Sequence, residues 1–125
     1  MTDRAARFLI CDDDPLMRKL LTRLLGAMAC DVVGEAVDGD QGVKMYKQMN
    51  PDVVLLDINM PGKNGVAALR DIRKVNASAK VIMLTAMDDV VIAESCLHNG
   101  ALGYVRKGGD VDSLSAELQD IIDQL

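Results

Sequence analysis

Five residues carry the chemistry this sequence offers. Asp12 and Asp13 follow the apolar run Phe8 to Cys11, and Asp57 follows Val53 to Leu56. Thr85 follows Val81 to Leu84, and Lys107 follows Leu102 to Arg106. Each stands where a short apolar segment stops. Carboxylates brought together repel one another, so a fold that gathers them must raise a pKa or bind a cation. Oxygen ligands with no His or Cys favour a hard ion, and Mg²⁺ typically takes one or two carboxylates with waters and phosphate oxygens. A lysine and a hydroxyl nearby are what a transferred phosphoryl group needs, because its charge lies on its equatorial oxygens. Asp57 is then expected to be the nucleophile, giving an acyl phosphate.

These residues meet only if the apolar runs lie side by side and parallel. Val53 to Leu56 is β-branched at its start and too short for a helix, which suits a strand buried on both faces. Pro61 and Gly62 break the chain soon after Asp57. Phe8 to Cys11 reads as a second buried strand. Asp14 is a good N-cap, and Pro15 fits the first helical position. Leu16, Leu20, Leu24 and Met28 then recur every fourth residue beside Met17, Leu21 and Leu25, predicting one wide apolar stripe. Asp31 to Ala36 alternates loosely around Gly34 and reads as an edge strand. Asp38 to Asn50 is a helix with Val43, Tyr46 and Met49 at core spacing, closed by Asn50-Pro51.

A third helix starts near Asn64, with Val66, Leu69, Ile72 and Val75 on one side. Val81 to Leu84 is another buried strand. Asp88 or Asp89 can cap a fourth helix, which ends at Asn99-Gly100. Leu102 to Arg106 is a weaker fifth strand, Gly108-Gly109 a loop, and Asp110 the cap of a last helix carrying Leu114, Leu118, Ile121 and Leu125. Five strand-helix units imply an α/β fold, a parallel sheet with helices on both faces and right-handed crossovers. The polar residues then share the carboxyl edge of the sheet, where open α/β sheets place their ligands.

The 125 residues predict one domain over 1–125. Half are apolar, with no Trp and one Phe, so the core is expected to be aliphatic and Met-rich. A net charge of −5 argues against direct nucleic-acid binding. No apolar run approaches the roughly 18 residues needed to span a membrane. The start, MTDRAARFLI, lacks a signal-peptide pattern, so a cytoplasmic protein is expected. Cys11, Cys30 and Cys96 read as small core residues in a reducing compartment. His98 sits in the last turn of a helix, where partial charge is favourable, and is given no phosphotransfer role.

In order and spacing, Asp12-Asp13, Asp57-Ile58-Asn59-Met60-Pro61-Gly62 with Gly65, Thr85-Ala86, Gly100-Ala101, Gly103-Tyr104 and Lys107 resemble the receiver domains of bacterial two-component response regulators. The resemblance covers essentially the whole chain and is closest to stand-alone, chemotaxis-type receivers. It implies a flavodoxin-like (βα)5 sheet in the order 2-1-3-4-5. It implies Asp57 as phosphoacceptor, with Asp13, Asp57 and the Asn59 carbonyl on Mg²⁺ and Asp12 acting largely through a metal-bound water. Thr85 and Lys107 would contact phosphoryl oxygens, and Tyr104 would move inward with Thr85. The implied partners are a histidine kinase or phosphotransfer protein and a downstream effector on the fourth helix, fifth strand and fifth helix. The chain would be a monomer or a phosphorylation-dependent dimer, and not an enzyme in the ordinary sense.

Two other readings stand beside this one. A haloacid-dehalogenase-type phosphatase also uses a strand-end Asp with Mg²⁺ and Lys, but it wants an acid two residues on, where Asn59 stands. A receiver cut from a longer DNA-binding regulator fits the Gly-Tyr-Val-Arg-Lys stretch. Lys107 is followed by Gly108 where relatives often carry proline, so a trans bond is expected. Gly108-Gly109 should absorb the change through backbone angles other residues cannot reach, and should make a mobile loop. Met87, two residues after Thr85, is often polar elsewhere and bears on phosphoryl lifetime.

Overall fold

The strands are β1 Arg7–Cys11, β2 Asp31–Ala36, β3 Val53–Asp57, β4 Val81–Thr85 and β5 Gly103–Arg106. Between and after them come α1 Pro15–Ala27, α2 Gly39–Met49, α3 Gly65–Val75, α4 Val90–His98 and α5 Val111–Ile122. The computed structural model describes residues 4–125 apart from the side chain of Met87. The first three residues, part of the segment read for a signal peptide, and the Met87 side chain lie outside the described residues. All strand pairs are parallel, in the order β2-β1-β3-β4-β5. This is the flavodoxin-like order expected. No described helix is long and apolar enough to cross a membrane.

Register decides what the sheet can present at its edge. Cys11 pairs with Leu56, Asp57 with Leu84, and Thr85 with Arg106. The carboxyl ends of β1, β3, β4 and β5 are therefore level, and the polar residues that follow them come together.

Alternation along each strand builds two cores. Leu9, Cys11, Val54, Leu56, Val81 and Met83 face α2, α3 and α4, where they meet Val43, Tyr46, Leu69, Ile72, Ala93 and Cys96. Phe8, Ile10, Val53, Leu55, Ile82, Leu84 and Val105 face α1 and α5, against Leu21, Leu25, Leu114 and Leu118. Every residue of β3 and β4 is buried, which is why those segments read as continuous apolar runs. All three cysteines are free and buried, as core residues should be.

Side chains at the N-caps start four of the five helices. Asp14, Asp38, Asn64 and Asp110 each accept a hydrogen bond from a backbone N–H in the following turn. Such a bond is worth about 1 kcal/mol. The expectation that Asp88 or Asp89 caps α4 is not met. Asp89 holds the N-cap position, but its side chain caps nothing. A 3₁₀ turn, Met87–Asp89, leads into the helix, and the Asp89 carboxylate accepts from the side-chain amide of Asn59.

The stripe on α1 is narrower than the sequence suggests. Leu21 and Leu25 are fully buried, whereas Leu16 is 76% exposed. At about 100° per residue, Leu16 lies roughly 140° around the helix from Leu21. Val75 and Leu125 are also exposed, at 45% and 41%. Val75 is the last residue of α3, and Leu125 falls beyond the end of α5, so neither is held against the sheet.

Candidate functional site

Asp57 is the last residue of β3 and is 2% exposed. Its Oδ1 accepts from the backbone N–H of Asn59 at 3.2 Å, and its Oδ2 from Lys107 Nζ at 3.0 Å. Asp12 follows β1 and is fully buried. Its Oδ1 accepts from the N–H of Asp14 at 2.9 Å, and its Oδ2 from the same Lys107 ammonium at 3.0 Å. Asp13 is exposed, yet one carboxylate oxygen each of Asp12, Asp13 and Asp57 lie within 4.8 Å of one another. The three carboxylates and the lysine expected from the sequence thus meet in one pocket.

A tight loop after Asp57 sets this geometry. Gly62 has φ +70°, and Gly65 N–H donates to the Ile58 carbonyl at 2.9 Å. A Cβ on Gly65 would stand 2.1 Å from the carbonyl oxygen of Asp57. Only glycine lets the start of α3 close this tightly under the aspartate.

The charges are unequal in their comfort. Burial pushes the Asp57 carboxyl up to about 6, the Lys107 hydrogen bond opposes that rise, and the Asp12 charge adds to it. Burial pulls the Lys107 pKa down, but hydrogen bonds to Asp57 and Asp12 outweigh it and leave the ammonium above its ordinary value. Lys107 stays charged, and Asp57 is a carboxylate held near its limit.

Thr85, the last residue of β4, is fully buried. Its hydroxyl donates to the carbonyl of Ala86 at 3.0 Å, so in this structure it is not bonded to Asp57. The N–H of Lys107 donates to the Thr85 carbonyl at 2.8 Å, which ties β5 to β4 at the pocket. Tyr104 is partly buried and packs against the core beneath α2, α3 and α4.

The described residues contain no cis peptide, so the Lys107–Gly108 bond is trans, as expected. The expected use of the glycines is not met. Neither Gly108 nor Gly109 has a positive φ, and Lys107 reaches both carboxylates without it. The long side chain supplies the reach that an unusual backbone was expected to supply.

One neighbour of the pocket does not stand out in the sequence, and another stands out only for a capping role it does not take. Arg18 donates to the Asp12 carbonyl at 2.8 Å and to Glu35 Oε1 at 3.0 Å, bracing β1 against β2. Asp89 anchors the Asn59 side chain. The only sequence signal for Arg18 is its place one turn after the Asp14 cap, which many surface arginines share.

Similarity to known proteins agrees with this geometry. The family model "Response regulator receiver domain" matches residues 8–119. Protein CcdB of Bacillus subtilis is 42% identical over 101 residues, covering 81% of this chain and 84% of CcdB. Chemotaxis protein CheY of Thermotoga maritima is 36% identical over 101 residues, again 81% of this chain and 84% of the relative. A crystal structure of the CheX-CheY-BeF3-Mg+2 complex from Borrelia burgdorferi superposes with a TM-score of 0.86 at 30% identity, covering 95% of this chain and 87% of that one. The match sets the haloacid-dehalogenase alternative aside. Receiver domains bind Mg²⁺ in an acidic pocket, and the Asp12, Asp13 and Asp57 oxygens fit such an ion: oxygen donors only, two of the three buried, with no His or Cys among them.

Proposed function

This chain belongs to the response regulator receiver family, and from that premise we propose that it is a switch operated by phosphorylation of Asp57. The observation that carries the reading is the Lys107 ammonium, 3.0 Å from both buried carboxylates, with Asp13 within reach of the same point. A carboxylate oxygen of Asp57 attacks the phosphorus of a phosphohistidine on a partner kinase or phosphotransfer protein. An O–P bond forms, the N–P bond breaks, and the departing imidazole nitrogen keeps the electron pair and takes up a proton. Asp13, Asp57 and the Asn59 carbonyl would hold Mg²⁺, with Asp12 acting through a metal-bound water. That ion would offset the charge on the phosphoryl oxygens.

The chain's own groups do the rest. Lys107 follows an incoming phosphoryl oxygen, because it already sits on Asp57. Thr85 leaves the Ala86 carbonyl and donates to another phosphoryl oxygen. That movement vacates space beside β4 and β5, and Tyr104 turns inward to fill it. The face formed by α4, β5 and α5 then changes. Val91 is 80% exposed and Leu102 46% exposed on and beside it, apolar surface that suits a downstream protein. The same switch serves a chain that stands alone and one that continues into an output domain; the two differ in what this face meets. A coupling of about 1–3 kcal/mol is enough to make it work. The Borrelia relative, crystallised with beryllofluoride and Mg²⁺, supports the reading.

Labelling with acetyl phosphate tests it. Asp57 is expected to be phosphorylated only with Mg²⁺ present, Asp57→Asn to abolish labelling, and Asp13→Ala to weaken metal binding. Unchanged labelling of Asp57→Asn would sink the assignment.

A further inference from the structure

Away from the phosphorylation pocket, α2 and α3 enclose a groove of about 490 Å³. Lys44 and Lys47 line it from α2, Lys63 from the loop before α3, and Lys74 from α3. Asp40 and Asp71 sit in the same groove, and Val43 and Val75 form its apolar part. Both aspartates are already engaged by one lysine: Lys63 pairs with Asp40 and with Asp71. Among the described residues, Lys44, Lys47 and Lys74 make no ion pair. Lys47 and Lys74 nevertheless stand close enough to Asp71 for their charges to bear on it, which places them at one focus.

Scattered surface lysines are ordinary solvated groups. These are not scattered, and they run against the rest of the molecule. The chain carries 14 basic and 19 acidic side chains, yet here four lysines face two aspartates. The acidic background disfavours a long polyanion, which would have to lie across negative surface as well. A short acidic stretch feels only the local field. Val75, 45% exposed at the rim, offers an aliphatic contact that a free phosphate cannot use.

We propose that the α2–α3 groove is a docking site for a short acidic segment of a partner protein, carboxylates flanking an aliphatic residue. The carboxylates meet Lys44, Lys47 and Lys74, and the aliphatic side chain lies on Val43 and Val75. Lys63 remains on its two aspartates and gives the groove a fixed wall. That wall is tied through its backbone to the start of α2. The Gly39 N–H donates to the Lys63 carbonyl at 3.1 Å, and a Cβ on Gly39 would lie 2.2 Å from that oxygen. The site needs no phosphorylation of Asp57 and stands or falls separately from it.

The test is an amide chemical-shift titration of the whole chain with a hexapeptide of glutamates flanking two leucines. The expected shifts concentrate on Lys44, Lys47, Lys63, Lys74 and Val75, and affinity falls several-fold as salt is raised. Lys47→Glu combined with Lys74→Glu should weaken binding at least tenfold while the spectrum stays dispersed and folded. Shifts absent from the groove, or equal binding of a glutamine version of the peptide, would overturn the proposal. So would inorganic phosphate or a short oligonucleotide producing the same shifts at the same concentration.

Discussion

Lys107 Nζ and Asp57 Oδ2 lie 3.0 Å apart although fifty residues separate them in the chain. The backbone bond from Lys107 N–H to the Thr85 carbonyl fixes where that lysine starts, and the level ends of β3, β4 and β5 fix where it arrives. Removing the ammonium leaves Asp12 and Asp57 facing each other. Lys107→Met is therefore expected to lower stability at pH 7 by about 1–3 kcal/mol, read from urea unfolding. An unchanged midpoint would mean that the carboxylates do not rely on the lysine.

Asp57 makes stability depend on pH with a definite sign. Its folded pKa is about 6 against an ordinary 3.8, so the folded state holds this proton more tightly than the unfolded one. The contribution is most favourable below the unfolded pKa and is lost as pH rises through the folded value. The attraction of Lys107 for Asp57 is already contained in that value, and the ammonium itself, raised above its ordinary pKa, stays charged throughout this window. Asp57→Asn cannot titrate. It should be more stable than the parent by about 1–3 kcal/mol at pH 7, with the difference closing toward pH 4. Carboxyl carbon shifts should titrate near 6 in the metal-free parent and lower with Mg²⁺ added. A parent and variant of equal stability at pH 7 would contradict this.

Thr85 bonds to the Ala86 carbonyl and not to Asp57, so its hydroxyl is dispensable before phosphorylation. Thr85→Ala should cost about 1–2 kcal/mol in stability, from a buried methyl and a carbonyl left without its donor, and leave acetyl phosphate labelling in place. What should be lost are the beryllofluoride-induced shifts across α4, β5 and α5, with Thr85→Ser restoring them. If Thr85→Ala kept those shifts, the hydroxyl would not be the link between the pocket and that face.

Gly65 has no room for a side chain, and the obstacle is the backbone of Asp57 and Ile58. Gly65→Ala should cost about 3 kcal/mol and slow labelling, because relief requires moving Asp57 itself. Gly26 lies on α1, and a Cβ there would meet nothing within 4 Å. Gly26→Ala should instead stabilise the protein by about 0.5–1 kcal/mol. Similar unfolding midpoints for the two variants would remove the special place given to Gly65.

Strand and helix boundaries are legible wherever a local rule governs them. The apolar runs of β1, β3 and β4 are buried on both faces, and four cap side chains act within three residues of themselves. The same locality makes Asp12, Asp13, Asp57, Thr85 and Lys107 stand out, since each closes or follows a strand. Local rules fail at α4, where Asp89 answers to Asn59 thirty residues away and not to its own helix. They fail again at Leu16, because a four-residue spacing does not say which line of an amphipathic helix the sheet will cover.

Element order, the parallel sheet and the set of groups available at its carboxyl edge follow from residue order alone, because periodicity and capping act over a few residues. How those groups share their charges follows from the folded packing. Strand register placed one ammonium between two buried carboxylates and left Asp13 in the open. Packing turned the Thr85 hydroxyl away from Asp57, and it gathered Lys44, Lys47, Lys63 and Lys74 from three separate segments into one groove. Burial and charge proximity fall off over a few ångströms in space, and nothing in the order of residues along a chain measures that distance.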